Sequence, residues 1–445
     1  MNANNRPSAE SAAARVDTSL TTPPNPVTAE LALHMAQACE AAGGWLPFDE
    51  FMAMALYTPG LGYYANGRVT FGRMPGGQST QVPGTPPATG ALKTPGELPG
   101  SDFVTAPELS PLFGEVLARQ VVQALQATGT REVWEFGAGS GALAYQILKH
   151  ISQLEKATGT VFIDKYVIVD LSGTLRARQQ DRLREWAGRV QWADALPEAL
   201  NGVVLGNEVL DAMPVKLLAR VDGQWFERGV VRVGSHGTGG GAPVGTSVDL
   251  GEPSAVVSGH WAWADRPTTL RPPVDVPGEH DHLTEIHPQA EAFMRTLADR
   301  LQHGAAFLID YGFPEAEYFH PQRHMGTLAC HHLHKMDDNP LAQVGDKDIT
   351  AHVNFTGVAL AAQDAGLDVL GYTTQGRFLI NCGLATVLDA LPHDAAGLAQ
   401  RAMAAKLVNE HEMGELFKVL AVAPPASSQG WLPMGFAAGD RTHTL

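Results

Sequence analysis

The sequence has few cysteines, few basic residues and no long apolar run. Three cysteines in 445 residues, Cys39, Cys330 and Cys382, lie too far apart for a disulfide framework or a zinc knuckle, a usage that suits a reducing compartment. Lys and Arg total 31 against 47 Asp and Glu, a formal charge of −16. A surface of that balance repels phosphate backbones unless a basic stripe is present, and none is, so no nucleic-acid partner is expected. No stretch approaches the ~18 apolar residues a bilayer span requires. Residues 1–27 lack the apolar core of a signal peptide, so a disordered lead and a cytoplasmic location are expected. Histidines 320, 324, 331, 332 and 334 cluster, but without H-E-x-x-H spacing or a partnering cysteine pair, and no metal is expected. What is present is a 44% hydrophobic content, enough to offset chain entropy and to exclude wholesale disorder.

Two stretches break the globular composition. Residues 73–100 are mostly Gly, Pro, Thr, Ser and Gln and are expected as a mobile surface loop. A second, roughly 234–276, begins GSHGTGGGAPVGTS and reads as part of an insertion spanning about 215–280. Elsewhere short β-branched runs alternate with amphipathic windows, as in parallel strands joined by crossover helices. EVWEF ends at Phe136, YVIVD at Asp170 and GVVLGN at Asn207, with RVQW leading to Ala193; helical windows follow the first two. GAAFLID, LDVLGYTT and FKVLAVA fit the same sheet. The expected fold is α/β, a doubly wound, mostly parallel Rossmann-like sheet. Residues 28–127 precede it as a helical segment, the core runs over 128–425, and 426–445 form a tail.

Gly137-Ala138-Gly139-Ser140-Gly141 lies between a predicted strand and a predicted helix, where absent Cβ atoms let a ligand approach the backbone and the helix N-terminus offers unpaired N–H groups. Gly137, Gly139 and Ala142 also satisfy a dinucleotide fingerprint, so the glycines alone do not choose between nucleosides. Glu135 tilts the choice: an acid there is awkward beside a pyrophosphate but can hold a cationic or hydroxyl-bearing group. Asp170, at the end of the second strand, can accept both ribose hydroxyls or cap the next helix. Asp194 would face an adenine edge or cap a short helix. Asn207, Glu208 and Asp211 follow the fourth strand, at the carboxyl edge where open α/β sheets bind substrates. If that segment turns helically, the spacing of three puts both carboxylates on one face, suited to a guanidinium. The alternative is an acid-rich first helical turn. Glu285 and Asp310 with Tyr311 are further candidates for the substrate side.

The segments GGWLPFDEFMAMALYTPGLGYY (Gly43–Tyr64), DFVTAPELSPLFGEVLARQ (Asp102–Gln120), EFGAGSGALA, IVDLS, GNEVLDAMPV, FLIDYG and DITAHVNF (Asp348–Phe355) occur in this order, and together they closely resemble the MidA family. That resemblance implies a class I methyltransferase core, a helical N-terminal segment closing over the cofactor, and S-adenosyl-L-methionine as methyl donor. It implies cofactor contacts at Glu135, Gly137, Gly139, Gly141 and Asp170, with Thr105 at the pocket border, and chemistry at the Asn207–Asp211 loop. The acceptor it implies is a protein arginine, with a respiratory complex subunit as the implied partner. A small-molecule methyltransferase and an assembly chaperone with a cofactor site are the alternatives. Two departures stand out: the 73–100 stretch interrupts the link between GYY and TAPE, and Asn354 stands where an acid is expected.

Overall fold

The computed structural model describes residues 26–66, 105–170, 173–234, 259–332 and 335–445. The expected disordered lead before residue 26, the 73–100 stretch, residues 235–258 of the expected insertion, and His334 lie outside them.

Seven apolar runs form the main path of the central sheet: β1 Glu132–Phe136, β2 Lys165–Val169, β3 Val190–Ala193, β4 Leu200–Asn207, β5 Leu301–Phe313, β6 Asp368–Thr374 and β7 Phe417–Ala423; an eighth, short strand, Val353–Asn354, pairs with the end of β5. Their order is β3-β2-β1-β4-β5-β7-β6. All neighbours from β3 to β5 are parallel, and β7 runs antiparallel to both β5 and β6. Strands buried on both faces read as near-continuous apolar runs, as VVL in β4 and the fully buried FKVLAVA of β7 do. On one face the helices Pro111–Thr128 and Ala142–Thr158 pack Val116, Leu117, Val121, Ile147 and Ile151 against Val133, Val203 and Phe307. On the other, Pro288–Arg300 and Phe355–Asp364 bury Met294, Leu297, Val358 and Ala362 against Val204 and Leu308. The chain leaves β1 toward β2 and β3, then returns to β1's other side with β4. Strand order therefore reverses at β1/β4, where such sheets open a crevice at their carboxyl edge.

Residues 216–286 supply four strands of a second, antiparallel sheet. Lys216–Val221 pairs with Gln224–Gly234 and His282–Ile286, and Gly259–Pro267 lines the outer edge of Gln224–Gly234. The fifth strand, Leu46–Pro47, comes from the N-terminal segment. The helices Pro26–Ala41 and Phe48–Tyr57 cover this sheet through Leu31, Met35, Phe51 and Leu56, packed with Leu217 and Val230. The first of them starts two residues before the expected boundary. After Tyr57 the chain folds back on its own helix: the amides of Gly62, Tyr63 and Tyr64 donate to the carbonyls of Thr58, Ala55 and Leu56. Glycine is required at 62, because a Cβ would lie 2.6 Å from the Leu56 backbone. This fold-back carries Tyr57 and Tyr64 to the crevice. The three cysteines are buried and unpaired, and among the described residues no helix is long and apolar enough to cross a membrane.

Candidate active site

The crevice is a cavity of about 720 Å³, within the range that encloses small ligands. Its lining brings together Thr105, Glu135, Gly137, Gly139, Asp170, Asn207 and Glu208, separated by up to about a hundred residues in the chain. Gly137, Gly139 and Gly141 all have positive φ (61°, 53° and 79°), a conformation that side chains of L residues rarely adopt. Gly141 caps the helix Ala142–Thr158 beneath the lining. A Cβ on Gly137 would come 3.1 Å from Val209 Cγ2, so the glycine turn and the loop after β4 pack directly on one another. Gln179 joins the turn to the second strand: its Nε2 donates to the Gly139 carbonyl at 2.9 Å and to Asp170 Oδ2 at 2.7 Å. The TAPE segment docks here too, since Ser140 and Arg182 both bond to Glu108.

Glu135 is 2% exposed and accepts the Tyr166 hydroxyl at 2.7 Å. Burial raises its carboxyl to about 7, against the Tyr166 bond that lowers it. Glu208 lies at the other end. Its Oε1 accepts Asn207 Nδ2 at 3.0 Å and the Ala106 amide at 3.4 Å. Burial, and then the nearby Asp211 charge, push it up to about 8.

The segment after β4 does not turn helically, and Glu208 and Asp211 do not share a face. Asp310 on β5 is the reason. Its Oδ2 accepts the amides of Val209, Leu210 and Asp211 at 3.1, 2.9 and 3.2 Å, and its Oδ1 accepts that of Tyr311 at 2.9 Å. Three successive N–H groups converging on one oxygen leave Glu208 at φ 55°, a left-handed conformation unusual for a residue with a side chain. Glu208 faces the cavity, whereas Asp211 is outside the lining and accepts the Tyr311 hydroxyl at 2.5 Å. Burial raises Asp211 to about 6, opposed by Tyr311. Asp310 is also raised, by burial and by the Asp211 and Glu208 charges. Asp310 and Tyr311, expected on the substrate side, thus hold the loop from behind.

Two other candidates lie elsewhere. Asp194 is an exposed surface acid paired with Arg176, outside the lining, because β3 is the edge strand, two strands removed from β1. Glu285 is buried in the second sheet, where it accepts the Tyr318 hydroxyl at 2.8 Å and the Thr327 amide at 2.8 Å, away from the lining. Asn354 is an N-cap, its Oδ1 accepting the Gly357 amide at 3.2 Å, a task an acid or an amide performs equally. Among the described residues no group of three or more His, Cys, Asp or Glu is arranged to hold a metal ion.

A profile of S-adenosyl-L-methionine-dependent methyltransferases matches residues 116–373. A protein of Burkholderia thailandensis, solved with S-adenosyl-homocysteine bound, is 42% identical and superposes with a TM-score of 0.78, covering 96% of this chain and 100% of that one. The chain belongs to the MidA family of S-adenosyl-L-methionine-dependent methyltransferases. The mitochondrial protein arginine methyltransferase NDUFAF7 homolog of Drosophila melanogaster is 27% identical over 86% of this chain and 82% of its own. NDUFAF7 of Homo sapiens is 25% identical over 74% and 75%. These relatives are named mitochondrial, which overturns the cytoplasmic location expected from the N-terminal composition.

The residues of this class I methyltransferase fit its donor. The glycine turn leaves backbone open to a nucleoside, and Glu135 and Asp170 supply carboxylates at one end. At the other, Asn207 Oδ1 is a buried acceptor without a hydrogen-bond partner among the described residues, open to a donor or a cation. Sequence reasoning missed Gln179 and Tyr57, Tyr64 and Asp348, although the last three sit in the GYY and DITAHVNF segments that carry the resemblance. Their meeting depends on the fold-back after Tyr57, a contact across nearly 300 residues that no local pattern announces.

Proposed function

We propose that this methyltransferase methylates an arginine nitrogen of a protein, a respiratory complex subunit being the class of acceptor implied by its resemblance to the MidA family. The observation that carries the reading is Glu208: a half-buried carboxyl, fixed by the Asp310 clamp, facing the cavity beside an unpartnered Asn207 Oδ1. When bound, S-adenosyl-L-methionine supplies an already activated methyl group, so the protein's task is positioning and charge management. A guanidinium is protonated at any physiological pH and must shed a proton as its nitrogen gains the methyl group. Glu208 is placed to receive that proton, and an affinity raised to about 8 makes it a better base than an ordinary carboxylate. Asn207 holds Glu208 through one amide hydrogen and offers its oxygen to a donor N–H of the acceptor. Asp211 and Asp348 add negative potential behind them, favouring a cation in the site. The relatives named protein arginine methyltransferases agree with this reading.

The test is to incubate the protein with isotope-labelled methyl donor and a proteome extract, hydrolyse the proteins and identify the labelled amino acid. Methylarginine that disappears with Glu208→Gln supports the proposal. Label only in small molecules, or only in methyllysine, sinks it.

A further inference from the structure

The cavity has two chemically distinct ends. Glu135, the glycine turn and Asp170 make one, from β1 and β2. The other is lined by Asn207, Glu208 and Ala212 together with Tyr57 and Tyr64. The two tyrosine rings stack with centroids 5.6 Å apart and planes inclined by 20°. Both hydroxyls are engaged: Tyr57 donates to the Ala212 carbonyl at 2.7 Å, and Tyr64 donates to the Asp348 carboxylate at 2.9 Å. Tethered at the phenol, each ring is held in one orientation and borders the cavity. The tether of Tyr57 ends on the same loop that carries Glu208, so ring and acid are linked through that loop.

A stacked tyrosine pair that lines the same cavity as a carboxyl matches one kind of cation best. A guanidinium is planar, stacks on ring faces and presents an edge of N–H donors, whereas an ammonium is a compact, strongly hydrated point charge that gains less from a broad surface. A tyrosine whose proton is donated away from the cavity also sets no competing donor against the cation. We infer that Tyr57 and Tyr64 form the acceptor wall that selects a planar guanidinium over an ammonium. The inference deepens the arginine reading and rests on it.

The protein loaded with S-adenosyl-homocysteine is titrated with N-acetyl-arginine methylamide and with its lysine counterpart, each followed by saturation-transfer NMR. We expect the arginine compound to bind about tenfold more tightly, the scale of a desolvated cation–π contact. Tyr57→Phe and Tyr64→Phe keep the rings and retain that preference. Tyr57→Leu and Tyr64→Leu remove them and abolish it, while S-adenosyl-homocysteine affinity, measured calorimetrically, stays within a few-fold. Equal binding of the two compounds by the wild type overturns the inference, as does a preference that survives both Leu substitutions. So does a loss of S-adenosyl-homocysteine affinity in Leu variants that melt at the wild-type temperature, because the rings then serve the donor end. Failure of the arginine reading looks different: selective binding of the arginine compound persists, but no arginine-containing protein is methylated.

Discussion

Asp310 fixes Glu208 indirectly, by gathering the amides of the three residues that follow Glu208 onto a single carboxylate oxygen. Replacing it should therefore act on turnover through geometry. Asp310→Ala leaves three converging amides without their acceptor, and a loss of at least about 2 kcal/mol is expected in denaturant unfolding. Asp310→Asn, with one acceptor oxygen retained, should lose less stability but still lower kcat. A variant with wild-type kcat would show that the clamp is dispensable.

Glu208→Gln should lower turnover roughly 10²-fold, the usual loss on removing a general base, and leave S-adenosyl-homocysteine affinity within a few-fold. In the wild type kcat/KM should climb with pH and level off above about 8, since the carboxyl must be ionised to take a proton. The Gln variant should lose that limb of the profile. Steady-state kinetics across pH 6 to 9 checks both.

Stability has the opposite slope. Glu208 and Glu135 hold protons more tightly folded than unfolded, with native values of about 8 and about 7 against an ordinary 4.5. Between pH 4.5 and 8 these two carboxyls therefore bind more protons folded than unfolded, and their contribution to stability falls as pH rises through that window; below 6.5 it is opposed by His282, His287 and His352, which burial lowers to about 4. Glu208→Gln should flatten the fall, as read by melting temperature in the absence of ligand.

Gly139→Val places a β-branched side chain at φ 53° in the cavity lining, a conformation it strongly resists. Binding of S-adenosyl-homocysteine should be lost. Gly137→Ala is milder: its Cβ meets Val209 Cγ2 at 3.1 Å, so the loop after β4 must yield by a few tenths of an ångström. Calorimetry should show weakened binding, and the companion change Val209→Ala should restore part of it.

The central sheet was legible because strands buried on both faces have no polar alternation to blur them. EVWEF, YVIV and GVVLGN end within one residue of where their apolar runs end. The glycine turn was legible for the same local reason: positive φ at three alternating positions demands glycine. The loop after β4 was not, since its shape is imposed by Asp310, a residue about a hundred positions away that competes successfully with helical hydrogen bonding. Asp194 misled because a carboxylate at a strand end looks alike whether it faces a cavity or, as here, an arginine on the surface. Tyr57 and Tyr64 stood in plain view, yet their place depends on a second sheet whose strands come from both sides of β4's exit.

That second sheet divides labour between separate pieces of the polypeptide. In the proposed reading the donor lies against the central sheet, whereas the acceptor meets Tyr57 and Tyr64, held beside the second sheet, the scaffold at the rim. Substitutions in the scaffold can retune which molecule is modified, and how readily it enters, while the chemistry of the activated methyl group stays untouched. New clients can in this way be acquired without rebuilding the catalyst.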